Sequence, residues 1–193
     1  MAVFPGRVAV VGGGPAGLFA AERLRAAGHE VDLFDRMGSV GRKFLIAGKG
    51  GLNLTHSEPK AHFVQRYREQ SARVADWLHD FDADDLRAWA RGLGVETVIG
   101  SSGRVFPTDF KAAPLMRSWV RRLRAQGVRF HVQHRWTAID AERCLHFETP
   151  PGRIRFAADA VGFALGRGSW AKLGRDWQWA GALRGMGGPG REL

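Results

Sequence analysis

The hydrophobic pattern opens on four consecutive apolar residues, 8–11, set between Arg7 and a run of glycines. A short apolar block bounded by turn residues predicts a strand buried on both faces, as in a parallel sheet. Pro15 then stands where a helix can begin. Leu18, Ala21 and Leu24 follow on one helical face until Gly28, a natural stop. Residues 31–34 predict a second strand that ends in Asp35. From 58 to 93 the pattern is helical, with Phe63, Tyr67, Val74, Leu78, Leu86 and Trp89 as packing positions. Asp82 and Asp85 give that stretch an internal capped start. Residues 95–99 and 104–107 predict a hairpin or edge strand around a glycine-rich turn, bracketed by Arg104 and Lys111.

A helix over about 111–126, closed by Gly127, leads to a strand at 128–132 that completes a parallel crossover. Between 134 and 156 the pattern changes to short alternating strands, with a turn at Pro150-Pro151-Gly152. The apolar run 158–165 predicts a further sheet strand, delivering Ala164 and Gly166 to the carboxyl edge, where open α/β sheets bind ligands. The expected fold class is α/β: a Rossmann-like parallel sheet with a helical insertion and a small antiparallel β-meander crossover. The expected domain covers 1–166, with the insertion at 57–94, the meander at 134–157, and an irregular tail at 167–193.

The chemistry sits at the first strand–helix junction. Gly12-x-Gly14-x-x-Gly17 follows the strand directly, and Pro15 and Ala16 open the helix. Gly12 permits the tight turn, Gly14 lets backbone approach a pyrophosphate, and Gly17 lets helix and strand pack closely. The helix N-terminus adds free N–H groups and partial positive charge. Asp35, at the second strand's end, is placed to accept from a ribose hydroxyl. It disfavours a 2′-phosphate, although Arg36 beside it weakens that argument. The segment 38–56 combines five glycines with Arg42, Lys43 and Lys49, and with Asn53 and Thr55. It reads as a loop folding over a phosphate-bearing ligand. A P-loop is excluded, because Gly50 follows Lys49 where Ser or Thr is needed.

Composition adds limits. With 193 residues, 45% hydrophobic and 25% charged, the chain can bury a core, and it has no apolar run of bilayer-crossing length. The start enters the first strand almost at once, so no signal peptide is expected. The single cysteine, Cys144, fits a reducing cytoplasm and reads as a small buried hydrophobe in a strand. His56, His62 and His79 lack metal-ligand spacing, so no metal is expected. The net charge of +10 raises nucleic acid as a partner. The densest cluster, Arg117, Arg121, Arg122 and Arg124, reads instead as the solvated face of an amphipathic helix, and nucleic acid is disfavoured.

Four pieces together identify a family. They are Gly12-Gly-Gly-Pro-Ala-Gly-Leu18, the run Gly41-Arg-Lys-Phe-Leu-Ile-Ala-Gly-Lys-Gly-Gly-Leu-Asn-Leu-Thr-His56, Gly103-Arg-Val-Phe-Pro107 with Lys111-Ala-Ala-Pro114, and Ala164-Leu-Gly166 with Ser169-Trp170. The chain resembles the aminoacetone oxidase-like or BaiN-type (HI0933-like) FAD-dependent flavoproteins. The resemblance implies non-covalent FAD and redox chemistry at its ring, acting on a small-molecule substrate it does not identify, with NAD(P)H a candidate electron donor. It supports Gly12, Gly14 and Gly17 at the pyrophosphate and Asp35 at the adenosine ribose. It implies Arg42, Lys43 and Asn53 along the cofactor, Ala164 and Gly166 near its path, and the backbone at Trp136 near adenine. Such proteins continue past Gly166 with a second glycine and add a substrate-covering domain. Here Arg167 follows, so a truncated member without that domain is expected. No catalytic residue is assigned. The alternatives are a catalytically inactive nucleotide-binding module and an NAD(P)-binding dehydrogenase.

Overall fold

A computed structural model of the chain describes residues 6–166. Those residues form two compact units, one from 6–42 with 123–166 and the other from 43–122. In chain order, β1 (Arg7–Val11), α1 (Pro15–Ala26) and β2 (Glu30–Asp35) come first. The middle of the chain holds α2 (Arg42–Ala47), β3 (Thr55–His56), α3 (Lys60–Gln65), α4 (Ser71–Asp80), α5 (Ala83–Gly92), β4 (Thr97–Ile99), β5 (Arg104–Pro107) and α6 (Ala112–Ala125). Then follow β6 (Arg129–Val132), β7 (Arg135–Ile139), β8 (Leu145–Thr149), β9 (Gly152–Phe156) and β10 (Ala160–Phe163). The expected tail at 167–193 lies outside the described residues.

In the first unit the sheet runs β10-β1-β2-β6, with every neighbouring pair parallel. After β1 the chain moves to β2 on one side, and it returns much later to β10 on the other. The crevice at the carboxyl end of β1 is therefore a topological switch point, where α/β sheets bind ligands. β1 and β2 are buried along nearly their whole length, as strands between two covered faces should be. α1 buries Leu18 and Ala21.

The meander β7-β8-β9 is antiparallel, and it replaces a helical crossover. Its Trp136, Leu145 and Phe147 close on Ala9, Val11 and Phe34 in one buried cluster. Phe34 is the centre of that cluster. Its ring stacks on Phe147 at 4.2 Å and on His131 at 4.5 Å, and meets Phe156 edge-on at 4.8 Å. Cys144 is not inside a strand: it is half-buried in the turn before β8, where its N–H donates to Asp140 Oδ1 at 2.9 Å. The turn rather than the strand pattern governs its place.

Asp32 is fully buried in the middle of β2. It accepts from Arg7 Nε at 2.9 Å, Arg129 Nε at 3.0 Å and Nη2 at 2.9 Å, and pairs with His131 Nε2 at 2.7 Å. Burial alone would raise its pKa, but the hydrogen bonds from Arg129, Arg7 and His131 hold it well below the usual carboxylate range.

In the second unit β3, β5 and β4 form an antiparallel sheet. The helical stretch is divided into α3, α4 and α5, with a 3₁₀ turn at Arg68–Gln70. α5 starts as expected: Asp82 Oδ1 accepts from the N–H groups of Asp84 and Asp85, and Asp85 Oδ2 accepts from Asp82 N–H. Tyr67 departs from its packing role and is 45% exposed. The segment 38–56 is more regular than a loop. Its glycine-free core folds as α2, followed by a 3₁₀ turn at Gly48–Gly50 and by β3. Glycines flank those six residues on both sides, and within them nothing opposes a helical turn.

Candidate dinucleotide-binding site

Strand ends and one helix start build the site. At the end of β1, Gly12 N–H donates to Phe34 O at 2.8 Å, and Ala164 N–H donates to Val11 O at 2.8 Å, joining the tips of three strands. Gly12 has φ +116°, and a Cβ there would stand 2.3 Å from Ala164 O. No other residue fits this turn. A Cβ on Gly17 would stand 1.9 Å from Gly12 O, so the helix can start this close to the strand only with glycine there.

Gly14 is the N-cap of α1, and no side chain caps the helix. A Cβ on Gly14 would meet nothing within 4 Å, and Pro15 and Ala16 are exposed. In an α-helix the first N–H groups have no intrahelical acceptor, and Pro15 at the first position has no N–H to leave orphaned. The mouth of α1 thus presents the Ala16 and Gly17 amides and the positive end of the helix dipole.

Asp35 stands beside this mouth and holds the turn in place. Its Oδ2 accepts from Gly13 N–H at 2.8 Å and its Oδ1 from Met37 N–H at 2.7 Å. Each oxygen keeps capacity for another donor. Burial raises the Asp35 pKa. The N–H groups of Met37 and Gly13 and the charges of Arg36 and Arg42 act in the opposite direction. Gly41 N–H donates to Gly13 O at 2.8 Å, which ties the β2–α2 connection to the glycine turn.

A family model described as HI0933-like protein Rossmann domain matches residues 6–188. The chain belongs to the HI0933-like family. Among curated proteins, this HI0933-like chain is similar to a ribosomal RNA dihydrouridine synthase of Haemophilus influenzae. The two are 36% identical over 73 residues, covering 35% of this chain and 18% of that protein. It is also similar to a glutamate synthase [NADPH] small chain of Azospirillum brasilense, at 50% identity over 50 residues, 26% of this chain and 10% of that one. The HI0933-like chain therefore spans less than a fifth of these relatives' length.

Among solved structures, a 3-ketosteroid-Δ4-(5α)-dehydrogenase of Rhodococcus jostii matches with TM-score 0.62 at 17% identity, over 98% of this chain and 51% of that one. The THI4 protein of Thermovibrio ammonificans matches with TM-score 0.55 at 16% identity, over 92% of this chain and 63% of that one. At such identities these likenesses concern the fold, and they agree with the Rossmann domain of the HI0933-like family.

The structure brings Gly12, Gly14, Pro15, Ala16, Gly17, Asp35 and Ala164 together at one sheet edge of the HI0933-like domain. Arg36 and Arg42 stand near enough to act on the Asp35 charge. Gly166 follows Ala164 with φ +67°. Trp136 is buried, and its indole N–H has no acceptor; its ring packs on Phe163 at 4.7 Å. Lys43 and Asn53 belong to the second unit, where the Asn53 amide, with its nitrogen turned inward, donates to Thr55 O at 2.8 Å and Val105 O at 3.2 Å.

Sequence reasoning passed over Gly13, where a Cβ would stand 2.5 Å from Val40 Cγ1 and 2.7 Å from Asp35 Oδ2. The signal was present: the motif needs glycine at 12, 14 and 17, and the chain has it at 13 as well. Among the described residues, no cluster of His, Cys, Asp or Glu could hold a metal, and no helix is long and apolar enough to cross a membrane.

Proposed function

We propose that the chain is the FAD-binding module of a flavin-dependent oxidoreductase. The open, glycine-lined mouth of α1 with a carboxylate beside it carries this reading. A dinucleotide needs that pair of features, amide donors for two phosphates and an acceptor for a ribose. Gly12, Gly14, Pro15, Ala16 and Gly17 form the pyrophosphate cradle, and Asp35 takes the adenosine ribose. Arg36 and Arg42 supply positive charge beside it. Lys43, Asn53, the Trp136 backbone, Ala164 and Gly166 serve further along the cofactor. When bound, FAD supplies hydride transfer, while the chain binds and orients it. The domain spans 1–166 with the insertion at 57–94 and the meander at 134–157, and it works in the cytoplasm.

The Haemophilus relative favours a particular substrate for the whole protein: uridine in a structured RNA. A uracil ring that becomes dihydrouridine gains a hydride and a proton, and hydride transfer is the chemistry a bound flavin would supply. NAD(P)H is the matching source of that hydride, and solvent supplies the proton. The name of the Azospirillum relative supports a pyridine-nucleotide donor.

Gly14→Asp tests the cofactor assignment cleanly. Its Cβ enters open space at φ −80°, and Asp is a favoured N-cap, so α1 should fold at least as well. The added carboxylate would occupy the phosphate position. The purified chain should be yellow and release FAD on denaturation, and the variant should be colourless and refuse added FAD. A variant that takes up FAD as the parent does overturns the assignment.

A further inference from the structure

α6 has one face that the cofactor reading leaves unused. Its sequence contains four arginines and no acid, and no Asp or Glu occurs anywhere between Asp109 and Asp140. Arg117, Arg121 and Arg124 fall at i, i+4 and i+7, one side of a helix, spanning about 10 Å at 1.5 Å per residue. All three are exposed, while Leu115, Met116, Trp119 and Leu123 are buried and fix the helix.

These arginines differ from many others in the chain. Arg66, Arg129, Arg135, Arg153 and Arg155 each meet a carboxylate. Arg121 reaches only the hydroxyl of Ser118, at 3.4 Å, and Arg124 lies over the Phe130 ring at 5.6 Å. Among the described residues, no carboxylate neutralises any of the three. A row of uncompensated guanidinium groups on a packed helix is an anion-binding surface whose backbone spacing is already fixed. Its extended form suits a chain of phosphates better than a single one.

We propose that the arginine row of α6 docks the phosphate backbone of a structured RNA. The proposal rests on the RNA reading above, and it assigns that partner to a surface separate from the glycine cradle. Phosphate contacts of this kind position a nucleic acid without reading its sequence, so a folded RNA of any sequence should be held.

The test uses the full chain loaded with FAD, a fluorescently labelled RNA hairpin, and anisotropy titrations from about 50 to about 300 mM salt. The triple variant Arg117→Gln/Arg121→Gln/Arg124→Gln is compared with Arg153→Gln, a control on β9. Retained FAD and an unchanged melting temperature establish that both are folded. The triple variant should flatten the plot of log affinity against log salt by about two to three units, with the control matching the parent. If the parent binds RNA and the triple variant keeps the same slope, the α6 assignment is overturned while the RNA reading stands. If the folded, FAD-loaded parent shows no salt-dependent RNA binding, both are overturned. If the triple variant loses binding to phosphatidylglycerol vesicles and not to RNA, the face serves a membrane and the proposal is overturned.

Discussion

Asp35 accepts two backbone amides, so its charge serves the turn, and in the proposed dinucleotide site it would serve the ribose as well. Burial raises its pKa against the pull of the Met37 and Gly13 amides. A raised carboxyl pKa means that the free fold favours the protonated form, and loses that favour as pH rises through the folded pKa. A ribose hydroxyl donates best to the ionised form. FAD affinity should therefore fall on acidification, with its midpoint above pH 3.8, the ordinary aspartate value. Asp35→Asn should weaken FAD by about 1.5–3 kcal/mol, the worth of a hydrogen bond to a charged group, and should abolish that acid limb. Fluorescence titration of FAD into the apo-chain across acid pH would read both effects. A parent and variant with superimposable profiles would show that the carboxylate does not touch the cofactor.

At the scale of elements, α5 isolates the contribution of a cap. Asp82 closes the capping box and also pairs with Lys60 Nζ at 3.1 Å on an exposed surface. An exposed ion pair contributes little, so most of the loss in Asp82→Ala should come from the cap, about 1 kcal/mol. Urea unfolding should show a lower midpoint with an unchanged slope. This cap was legible in the sequence because its signal is local: Asp at one position, Asp three residues later, apolar residues beyond. The strand β1 was legible because burial on both faces writes an uninterrupted apolar run. The glycine cradle was legible because sterics at Gly12 and Gly17 admit one residue type. α2 was hidden, since six residues between glycines show no period that separates helix from loop. The sheet contacts open to Asn53 were hidden, because nothing local reveals that its amide can bond Thr55 O and Val105 O. At Gly13 the extra glycine was visible but its reason was not: the constraint comes from Asp35 and Val40, more than twenty residues away.

The least legible feature acts on the whole sheet of the first unit. A charge at position 32, inside an apolar strand, breaks the local pattern, and only the assembled sheet supplies its partners. Arg7 on β1, Asp32 on β2 and Arg129 with His131 on β6 link three adjacent strands through one carboxylate, and Arg7 also lies over the Phe156 ring of the meander at 4.3 Å. Asp32 is fully buried, whereas the Arg7 and Arg129 side chains are 45% and 44% exposed. Water therefore relieves the arginines if the carboxylate is removed. The cost of Asp32→Asn should fall near the low end for a broken buried pair, about 3 kcal/mol. The pH dependence has a definite sign. The folded pKa is depressed, so the stabilisation is complete above the unfolded value of 3.8 and is lost as pH falls toward the folded one. Thermal melts of parent and Asp32→Asn should differ most near neutrality and converge below about pH 4, with the parent accounting for most of the change. A gap that stayed constant into acid would mean that Asp32 acts through its shape and hydrogen bonds alone, and that its charge does not hold the three strands together.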